Sequence, residues 1–242
     1  MTFQNEGYEI IKINKVNKIK TLRKKFINIF SVVSRLNKYK IIKNDGDIIK
    51  LYQDNKKLWV AAYDQIRLLP EIYSIIDDDF CKRVQKSCNI KIPAFTSKPL
   101  VRVYMPNNIG TAKTVPHIDY PSHRGSSNAV TVWFPLQNLS AESGTLRILP
   151  GSHKIKTTLG SIKDNTIKRI DITKRNYDSK MIDVKIKSGE AIVISQFLIH
   201  SSGNNVSDKI RFSIDCRFND LEDKTYALRK YYVNQLSYYQ KR

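Results

Sequence analysis

Residues 200–218, HSSGNNVSDKIRFSIDCRF, decide the fold that we predict for this chain. From residue 211 to 218, polar and apolar side chains alternate, which is the period of a strand with two differently buried faces. The Gly, Asn, Ser and Asp residues just before it predict a turn, so the strand is expected to run antiparallel to the segment that ends at His200. Its apolar face suits packing under a helical layer. Its polar face, which carries Arg211 and Ser213, is expected to line a barrel.

A second segment, VPHIDY at residues 115–120, places His117 and Asp119 on the same face of an extended chain. These two side chains do not complete a metal site, and we predict that His200, eighty-three positions after His117, supplies the third ligand. Two imidazoles and one carboxylate on a triangular face leave three coordination positions open, as in non-haem Fe(II) oxygenases. The His-x-Asp motif alone is weak, because a chain with four His and 22 acidic residues can contain it by chance.

Length, apolar runs and cysteine content restrict the class of protein to which this chain can belong. The 242 residues fit one domain, or one domain with an appended helical portion. No apolar run approaches the roughly 20 residues that span a bilayer, and the first residues lack the features of a secretory signal. Three widely placed cysteines are typical of reduced thiols, so we expect a cytoplasmic protein. The sequence leaves the oligomeric state open.

The net charge of +20 results from 42 Lys and Arg residues against 22 Asp and Glu residues. A positive field attracts anions of many kinds, including phosphorylated metabolites, acidic glycans, membrane headgroups and nucleic acid. The lysines are accompanied by many Ile and Asn residues, the usage expected of an AT-rich genome. A solvated basic surface without a polyanionic partner therefore stands beside the functional interpretation, and we regard nucleic acid as an unlikely partner that is not excluded.

Helical periodicity dominates the first 92 residues, which we expect to form a cover layer. The predicted elements are an edge strand at 7–14, a helix at 19–33, a turn at 44–47, a second helix at 54–69, and one or two short helices at 71–88. The second helix is expected to bury Trp59 in the core, and Pro70 is expected to break it.

From Lys98 the period changes from helix to strand. The predicted strands lie at 100–104, 128–136, 181–186, 191–199 and 211–218. Short strands that are seldom separated by helices predict an α+β fold with a mainly β core, either an antiparallel barrel or a double-sheet jelly roll. Residues 154–180 are basic and aperiodic, which favours a variable insertion over the mouth of a site. Tyrosines among basic residues at 220–242 favour a C-terminal helix packed on the body.

A guanidinium buried in the barrel at Arg211 needs an anion, because an unpaired buried charge costs several kcal/mol. A dicarboxylate co-substrate meets this need. The keto-acid end of 2-oxoglutarate would chelate the metal through two open positions, and Arg211 would hold the distal carboxylate in fork geometry.

These motifs, together with GTLRILPGSHK at 144–154 and the SGE turn at 188–190, resemble the phytanoyl-CoA dioxygenase family of Fe(II)/2-oxoglutarate oxygenases over residues 98–218. The resemblance implies a double-stranded β-helix in a single domain over 1–242. It also implies iron ligands and catalytic residues at His117, Asp119 and His200, and 2-oxoglutarate binding at Arg211. By position it suggests further co-substrate contacts at Arg102, Trp133 and Ser202, and Ser213 lies on the same strand face as Arg211.

The implied reaction consumes O₂ and 2-oxoglutarate, releases succinate and CO₂, and hydroxylates a small substrate. The positive field favours an anionic or anion-linked substrate, such as a nucleotide sugar, a phosphorylated metabolite or an acyl thioester. Asp119 favours hydroxylation, because a related halogenase would carry a small residue there. Two alternatives stay open: the six-residue interval from Arg211 to Arg217 resembles the AlkB-type nucleic-acid demethylases, and a jelly roll can bind metal without turnover.

The remaining histidines have simpler interpretations. His123, in a Ser/Arg/Gly loop, is expected to be exposed, and a substrate-facing acid or base is the alternative. His153 is expected to be structural within the Pro-Gly-Ser-His turn. Tyr104 and Tyr120 have two interpretations: each reaches the active site, or each is partly buried with a bonded hydroxyl group.

Overall fold

Two antiparallel sheets and a layer of helices make up the part of the chain that the structure describes. The computed structural model describes residues 2–110, 114–123, 125–140, 142–155 and 177–227. The strands are β1 (Tyr8–Lys12), β2 (Pro93–Phe95), β3 (Leu100–Tyr104), β4 (Val130–Pro135), β5 (Leu146–Ile148), β6 (Ile182–Asp183), β7 (Glu190–Ser195), β8 (His200–Ser202) and β9 (Arg211–Asp220). The helices are α1 (Thr2–Glu6), α2 (Val16–Leu36), α3 (Asp45–Asp54), α4 (Lys56–Ile66), α5 (Glu71–Ile75), α6 (Asp78–Cys88), α7 (Tyr120–His123) and α8 (Lys224–Ala227).

Strand β9 organises the larger sheet. That sheet has the order β1-β7-β4-β9-β2, with β3 also paired to β9, and the smaller sheet has the order β6-β5-β8. Every pairing is antiparallel. β4 lies along one edge of β9, β2 and β3 share the other, and all ten residues of β9 are buried. The predicted strand at 211–218 is confirmed and extends to Asp220.

Apolar side chains fill part of the space between the two sheets. They come from β4 and β7 of the larger sheet and from β5 and the segment after β6 of the smaller: Trp133, Leu146, Ile148, Val184, Ile192 and Ile194. The two sheets therefore share one apolar interior, as the predicted double-sheet architecture requires.

Helix α2 covers the other face of the larger sheet. Its buried side chains include Ile19, Leu22, Phe26 and Phe30, which follow the spacing of three and four that predicted the helix. Phe26 meets Phe212 of β9 edge to face, with ring centroids 5.7 Å apart. The apolar residues of β9 and the helices form one core, so the predicted packing of this strand face under a helical layer is confirmed.

Two asparagines begin consecutive helices where the sequence predicted a turn and then one helix. The side chains of Asn44 and Asn55 each accept a hydrogen bond from the amide three residues further on, at 3.1 Å and 3.0 Å. Each asparagine is an N-cap, so the prediction of a turn at 44–47 is wrong: residues 45–47 open α3. Trp59 on α4 is buried and lies 5.8 Å from Phe30 between ring centroids, which confirms its place in the core.

The His-x-Asp segment does not form the strand that we expected. Residues 115–119 are irregular, and His117 makes one isolated bridge with His200. β7 ends at Ser195, and His200 begins β8 in the other sheet. Two backbone hydrogen bonds, from each histidine amide to the other carbonyl at 3.0 Å and 2.9 Å, hold the pair together without a continuous strand.

Two predicted segments lie largely outside the described residues. Of the insertion at 154–180, residues 156–176 are not described, and of the C-terminal helix at 220–242 the structure describes α8 and nothing beyond residue 227. The single domain over 1–242 stays a prediction. Within the described ranges, no helix combines the length and apolar composition that crossing a bilayer requires.

Candidate metal centre and its cavity

Three side chains converge in one cavity: two come from the irregular segment 115–119 and one comes from the first residue of β8. The Nε2 atoms of His117 and His200 lie 3.6 Å and 3.9 Å from the Oδ1 atom of Asp119. The two imidazole centroids are 4.2 Å apart, and one potential ligand atom from each residue lies within 4.8 Å of the other two. The structure thus brings together the three residues that the sequence predicted as metal ligands.

Backbone carbonyls fix the tautomer of both histidines. The Nδ1 atom of His117 lies 2.9 Å from the Val115 carbonyl oxygen, and the Nδ1 atom of His200 lies 2.9 Å from that of Leu198. A carbonyl oxygen only accepts, so each Nδ1 carries the proton and each Nε2 keeps a lone pair for a metal. Burial lowers the pKa of His200, despite the neighbouring Asp119 carboxylate, which favours the neutral ligand form.

The two oxygens of Asp119 have different surroundings. Oδ1 faces the imidazoles, whereas Oδ2 accepts a hydrogen bond from the Thr131 hydroxyl at 2.5 Å and lies 3.4 Å from Arg217 Nε. Burial alone would raise the pKa of Asp119, but the two histidines, Arg217 and Thr131 together lower it well below the usual range. The resulting donor set is two imidazole nitrogens and one carboxylate oxygen, which fits a divalent first-row metal with other positions left open.

Arg211 is a buried cation that faces the same cavity. Its side chain is 5% exposed, and its guanidinium carbon lies 4.6 Å from the Tyr104 ring centroid and 5.5 Å from that of Trp133. Its Nη1 atom donates to the Gly144 carbonyl oxygen, and its Nε atom has no hydrogen-bond partner among the described residues. Burial lowers the pKa of Arg211 to about 10, because removal from water disfavours the charged guanidinium.

The metal centre and Arg211 open into one cavity of about 650 Å³. This volume lies within the range of sites that enclose small organic ligands. Trp133 and Ser202, predicted as co-substrate contacts, line it together with Arg102. Ser213 is fully buried and is not among the lining residues, so its contact with a co-substrate stays a prediction.

Comparison with known proteins decides the family. The sequence model of the phytanoyl-CoA dioxygenase (PhyH) family matches residues 56–213. The chain belongs to the phytanoyl-CoA dioxygenase family. This is the family of Fe(II)/2-oxoglutarate oxygenases that the motifs predicted.

Curated members of the phytanoyl-CoA dioxygenase family match part of the chain. "Phytanoyl-CoA dioxygenase 1" of Oryza sativa subsp. japonica is 30% identical over 112 residues, which are 46% of this chain and 40% of that protein. The peroxisomal phytanoyl-CoA dioxygenase of Homo sapiens is 26% identical over 110 residues, which are 42% of this chain and 31% of that protein. The matched region therefore spans less than half of these relatives.

Solved structures extend the likeness over nearly the whole chain. EctD from S. alaskensis, solved with 2-oxoglutarate and 5-hydroxyectoine, has a TM-score of 0.59 at 12% identity and covers 92% of this chain and 75% of its own. The non-heme monooxygenase ThoJ in its Ni complex has a TM-score of 0.58 at 16% identity, with coverage of 91% and 76%. At such identities the likeness shows the fold, and it confirms the predicted mainly β, double-stranded β-helix core.

Sequence reasoning missed a chain of ion pairs in this phytanoyl-CoA dioxygenase family member. Asp215 accepts from Arg102 at 3.0 Å and from Arg217 at 3.3 Å, and Arg217 reaches on to Asp119. The signal was present, because Asp215 and Arg217 share the alternating polar face of β9 with Arg211. Their pairing with the metal ligand depends on the neighbouring loop, which the strand pattern does not specify.

The structure contradicts the predicted exposure of His123 and agrees with the predictions for His153 and Tyr104. The prediction of an exposed His123 is wrong: its side chain is 20% exposed, its Nε2 atom lies 3.9 Å from Asp119 Oδ1, and burial lowers its pKa to about 4. His153 contacts the Gln4 carbonyl at 3.3 Å, in keeping with a structural role. Tyr104 is buried and its hydroxyl donates to the Gly203 carbonyl at 3.2 Å.

Proposed function

We propose that this protein is an Fe(II)- and 2-oxoglutarate-dependent dioxygenase that hydroxylates a small anionic or anion-linked substrate and releases succinate and CO₂. One observation carries the proposal: the Nε2 atoms of two histidines, an ionised carboxylate and a buried guanidinium that has no carboxylate partner among the described residues share a single cavity. Family membership supports the same activity. A cytoplasmic location stays part of the proposal.

In this proposal His117, Asp119 and His200 hold the iron, and Arg211 holds the distal carboxylate of 2-oxoglutarate. The iron, when bound, supplies the activation of O₂ that protein side chains cannot provide. The backbone carbonyls behind each Nδ1 keep the imidazole lone pairs directed at the metal position. Thr131 engages the far oxygen of Asp119, which leaves Oδ1 for the metal.

Aromatic stacking prepares Arg211 for a carboxylate. Tyr104 and Trp133 hold the guanidinium, and the Gly144 carbonyl restrains one of its nitrogens. A guanidinium fixed in this way loses little freedom when it binds an anion in fork geometry. Apolar lining residues, including Leu146 and Ile194, keep bulk water away from the reacting groups.

The charge of the cavity supports an anionic substrate. Five cationic side chains and three carboxylates line it among the described residues: Lys56, Arg67, Arg102, Arg211 and Arg217, with Asp64, Asp119 and Asp215. A ferrous ion and a 2-oxoglutarate dianion cancel each other, so a positive excess remains for the primary substrate. Asp119 occupies a ligand position that a halogenase would leave to chloride, which supports hydroxylation.

The direct test is conversion of 2-oxoglutarate to succinate by the purified protein with Fe(II) and O₂. We expect iron-dependent succinate that chelation removes, and its loss in His200→Ala and Arg211→Ala. Arg35→Ala, which removes an exposed arginine of α2 that does not line the cavity, is the matched control and is expected to retain turnover. Metal binding without succinate under any substrate condition would instead support a non-catalytic metal-binding module.

A nucleic-acid substrate makes a different prediction. Turnover would then be stimulated by methylated oligonucleotides, and binding would persist at physiological salt. Micromolar affinity that collapses with modest salt would identify the +20 charge as a surface property.

A further inference from the structure

We propose that Lys56, the first residue of α4, binds a carboxylate or phosphate group of the primary substrate. The inference rests on the proposed function, because it assigns the part of the cavity that 2-oxoglutarate leaves free. It also names the chemical class of the substrate: an organic anion with an aromatic or aliphatic body.

Ion pairing within the cavity singles out Lys56. Arg67 pairs with Asp64 at 3.2 Å, and Arg102 and Arg217 pair with the carboxylates behind the metal centre. Of the cations that line the cavity, Lys56 and Arg211 have no carboxylate within 4.0 Å in the described parts of the chain. Arg211 is committed to the co-substrate, so Lys56 is the cation left for a second anion.

The side chains beside Lys56 form an aromatic wall, which consists of Tyr52, Trp59 and Tyr63. The Lys56 ammonium lies 5.5 Å from the Tyr52 ring centroid, a distance at which the ring attracts it. Trp59 meets Tyr52 edge to face and stacks on Tyr63 at an interplanar angle of 19°, each with centroids 5.2 Å apart. The ammonium is therefore placed at the end of a continuous aromatic surface. Such a surface suits an aromatic or aliphatic body next to the anionic group.

Helix α4 serves the core and the cavity with two different faces. Leu58, Ala62 and Ile66 are buried in the main core. The residues at 56, 59, 60 and 63, which recur by three or four, line the cavity, and Trp59 among them also contacts the core. Val60 in this second set is 40% exposed, an apolar side chain that a bound substrate would cover. The Tyr63 hydroxyl donates to the Val101 carbonyl at 2.9 Å and so fixes the wall against β3.

Lys57 provides a matched control. It follows Lys56 in the same helix, carries the same charge and is exposed, but it does not line the cavity. Lys56→Gln and Lys57→Gln therefore change the net charge equally, and they differ only in whether the lost ammonium belongs to the cavity.

The experiment measures binding of three probe pairs to the anaerobic protein loaded with Fe(II) and 2-oxoglutarate. The pairs are phenylacetate with phenylacetamide, phenyl phosphate with phenol, and octanoate with octanamide, so that carboxylate, phosphate and body type are compared separately. We expect at least one anion to bind roughly tenfold more tightly than its uncharged partner, the effect of one charge-assisted hydrogen bond. Lys56→Gln is expected to remove this preference and Lys57→Gln to keep it.

Three results would overturn the assignment: equal binding within every pair, equal effects of the two lysine variants, or anion binding that displaces 2-oxoglutarate. The last would mean that the probe occupies Arg211. Failure of this inference is distinguishable from failure of the proposed function. Iron-dependent binding of 2-oxoglutarate and succinate formation by the unaltered protein test the function without any probe, and the probe pairs test Lys56 alone.

Discussion

The hydrogen bond behind the metal ligand Asp119 offers a sharp test of how the site is held. Thr131 lies on β4, is 4% exposed, and donates to Asp119 Oδ2 at 2.5 Å. Thr131→Val keeps the shape of the side chain and removes the donor. A hydrogen bond to a charged group contributes about 1.5–3 kcal/mol, and loss of such support costs about 10–100-fold in metal affinity. Arg217 remains 3.4 Å from the same oxygen, so we expect a loss near the lower end, about tenfold.

The assay is an anaerobic titration of the protein with Fe(II), in which calorimetry measures the dissociation constant of the metal. Thr145→Val is the matched control, because Thr145 is equally buried and donates to a neutral acceptor, the Val184 carbonyl at 2.8 Å, outside the residues that line the cavity. We expect the control to lose stability without losing metal affinity. An unchanged dissociation constant in Thr131→Val, or an equal loss in both variants, would refute the role given to this hydrogen bond.

Further predictions concern the co-substrate, the core and the thiols. Arg211→Ala should weaken 2-oxoglutarate binding by roughly a hundredfold in calorimetry while Fe(II) still binds, since truncating one partner of a buried charge pair costs about 2–5 kcal/mol. Arg211→Lys keeps the charge but cannot form two parallel hydrogen bonds to a carboxylate, so it should restore only part of the affinity. Phe26→Ala should lower the free energy of unfolding in urea by about 3–5 kcal/mol, because this ring is fully buried against Phe212. Burial raises the pKa of Cys88 from 9.0 to about 11, so the folded state holds the thiol proton more tightly than the unfolded chain. The stability that this proton contributes should be complete below about pH 9 and be lost as the pH rises through about 11, and at pH 8 a thiol reagent should label Cys88 only after unfolding.

The alternation at residues 211–218 predicted more of the molecule than any other segment. Both faces of this strand are buried, one under the helices and one toward the cavity. The apolar side chains therefore mark the face that packs on the helices, and the polar side chains mark the face toward the cavity. The same pattern predicts Arg211 and Asp215 on one face without reference to any tertiary contact. Period-two signals are reliable here because β9 pairs along both edges and cannot shift its register without moving every side chain to the wrong face.

Each wrong prediction concerns a segment whose residues are compatible with two different local structures. Asn44 and the residues after it suit a turn, but the same side-chain acceptor also caps a helix. The sequence predicts a strand at His117, whereas a single bridge to His200 is sufficient to bring the imidazoles together. His123 looked like an exposed loop residue because its neighbours are polar, and only the fold of α7 turns it toward Asp119.

The cavity-lining face of helix α4 cannot be predicted from the periodicity of its apolar residues. Leu58, Ala62 and Ile66 identify one buried face, and this face predicts a helix that packs on the core. Its second face lines the cavity because of how the helix docks on β3, through the hydrogen bond from Tyr63 to Val101. Docking is a tertiary property, so the part of the cavity wall that includes Lys56 was not visible in the sequence.

The most direct measurement is an anaerobic crystal structure of the protein with Fe(II) and 2-oxoglutarate, with the iron located by its anomalous scattering. We predict one iron bound by His117, Asp119 and His200, with the distal carboxylate of 2-oxoglutarate on the Arg211 guanidinium. Iron bound elsewhere, or 2-oxoglutarate whose distal carboxylate avoids Arg211, would contradict the assignment of this cavity as an oxygenase active site.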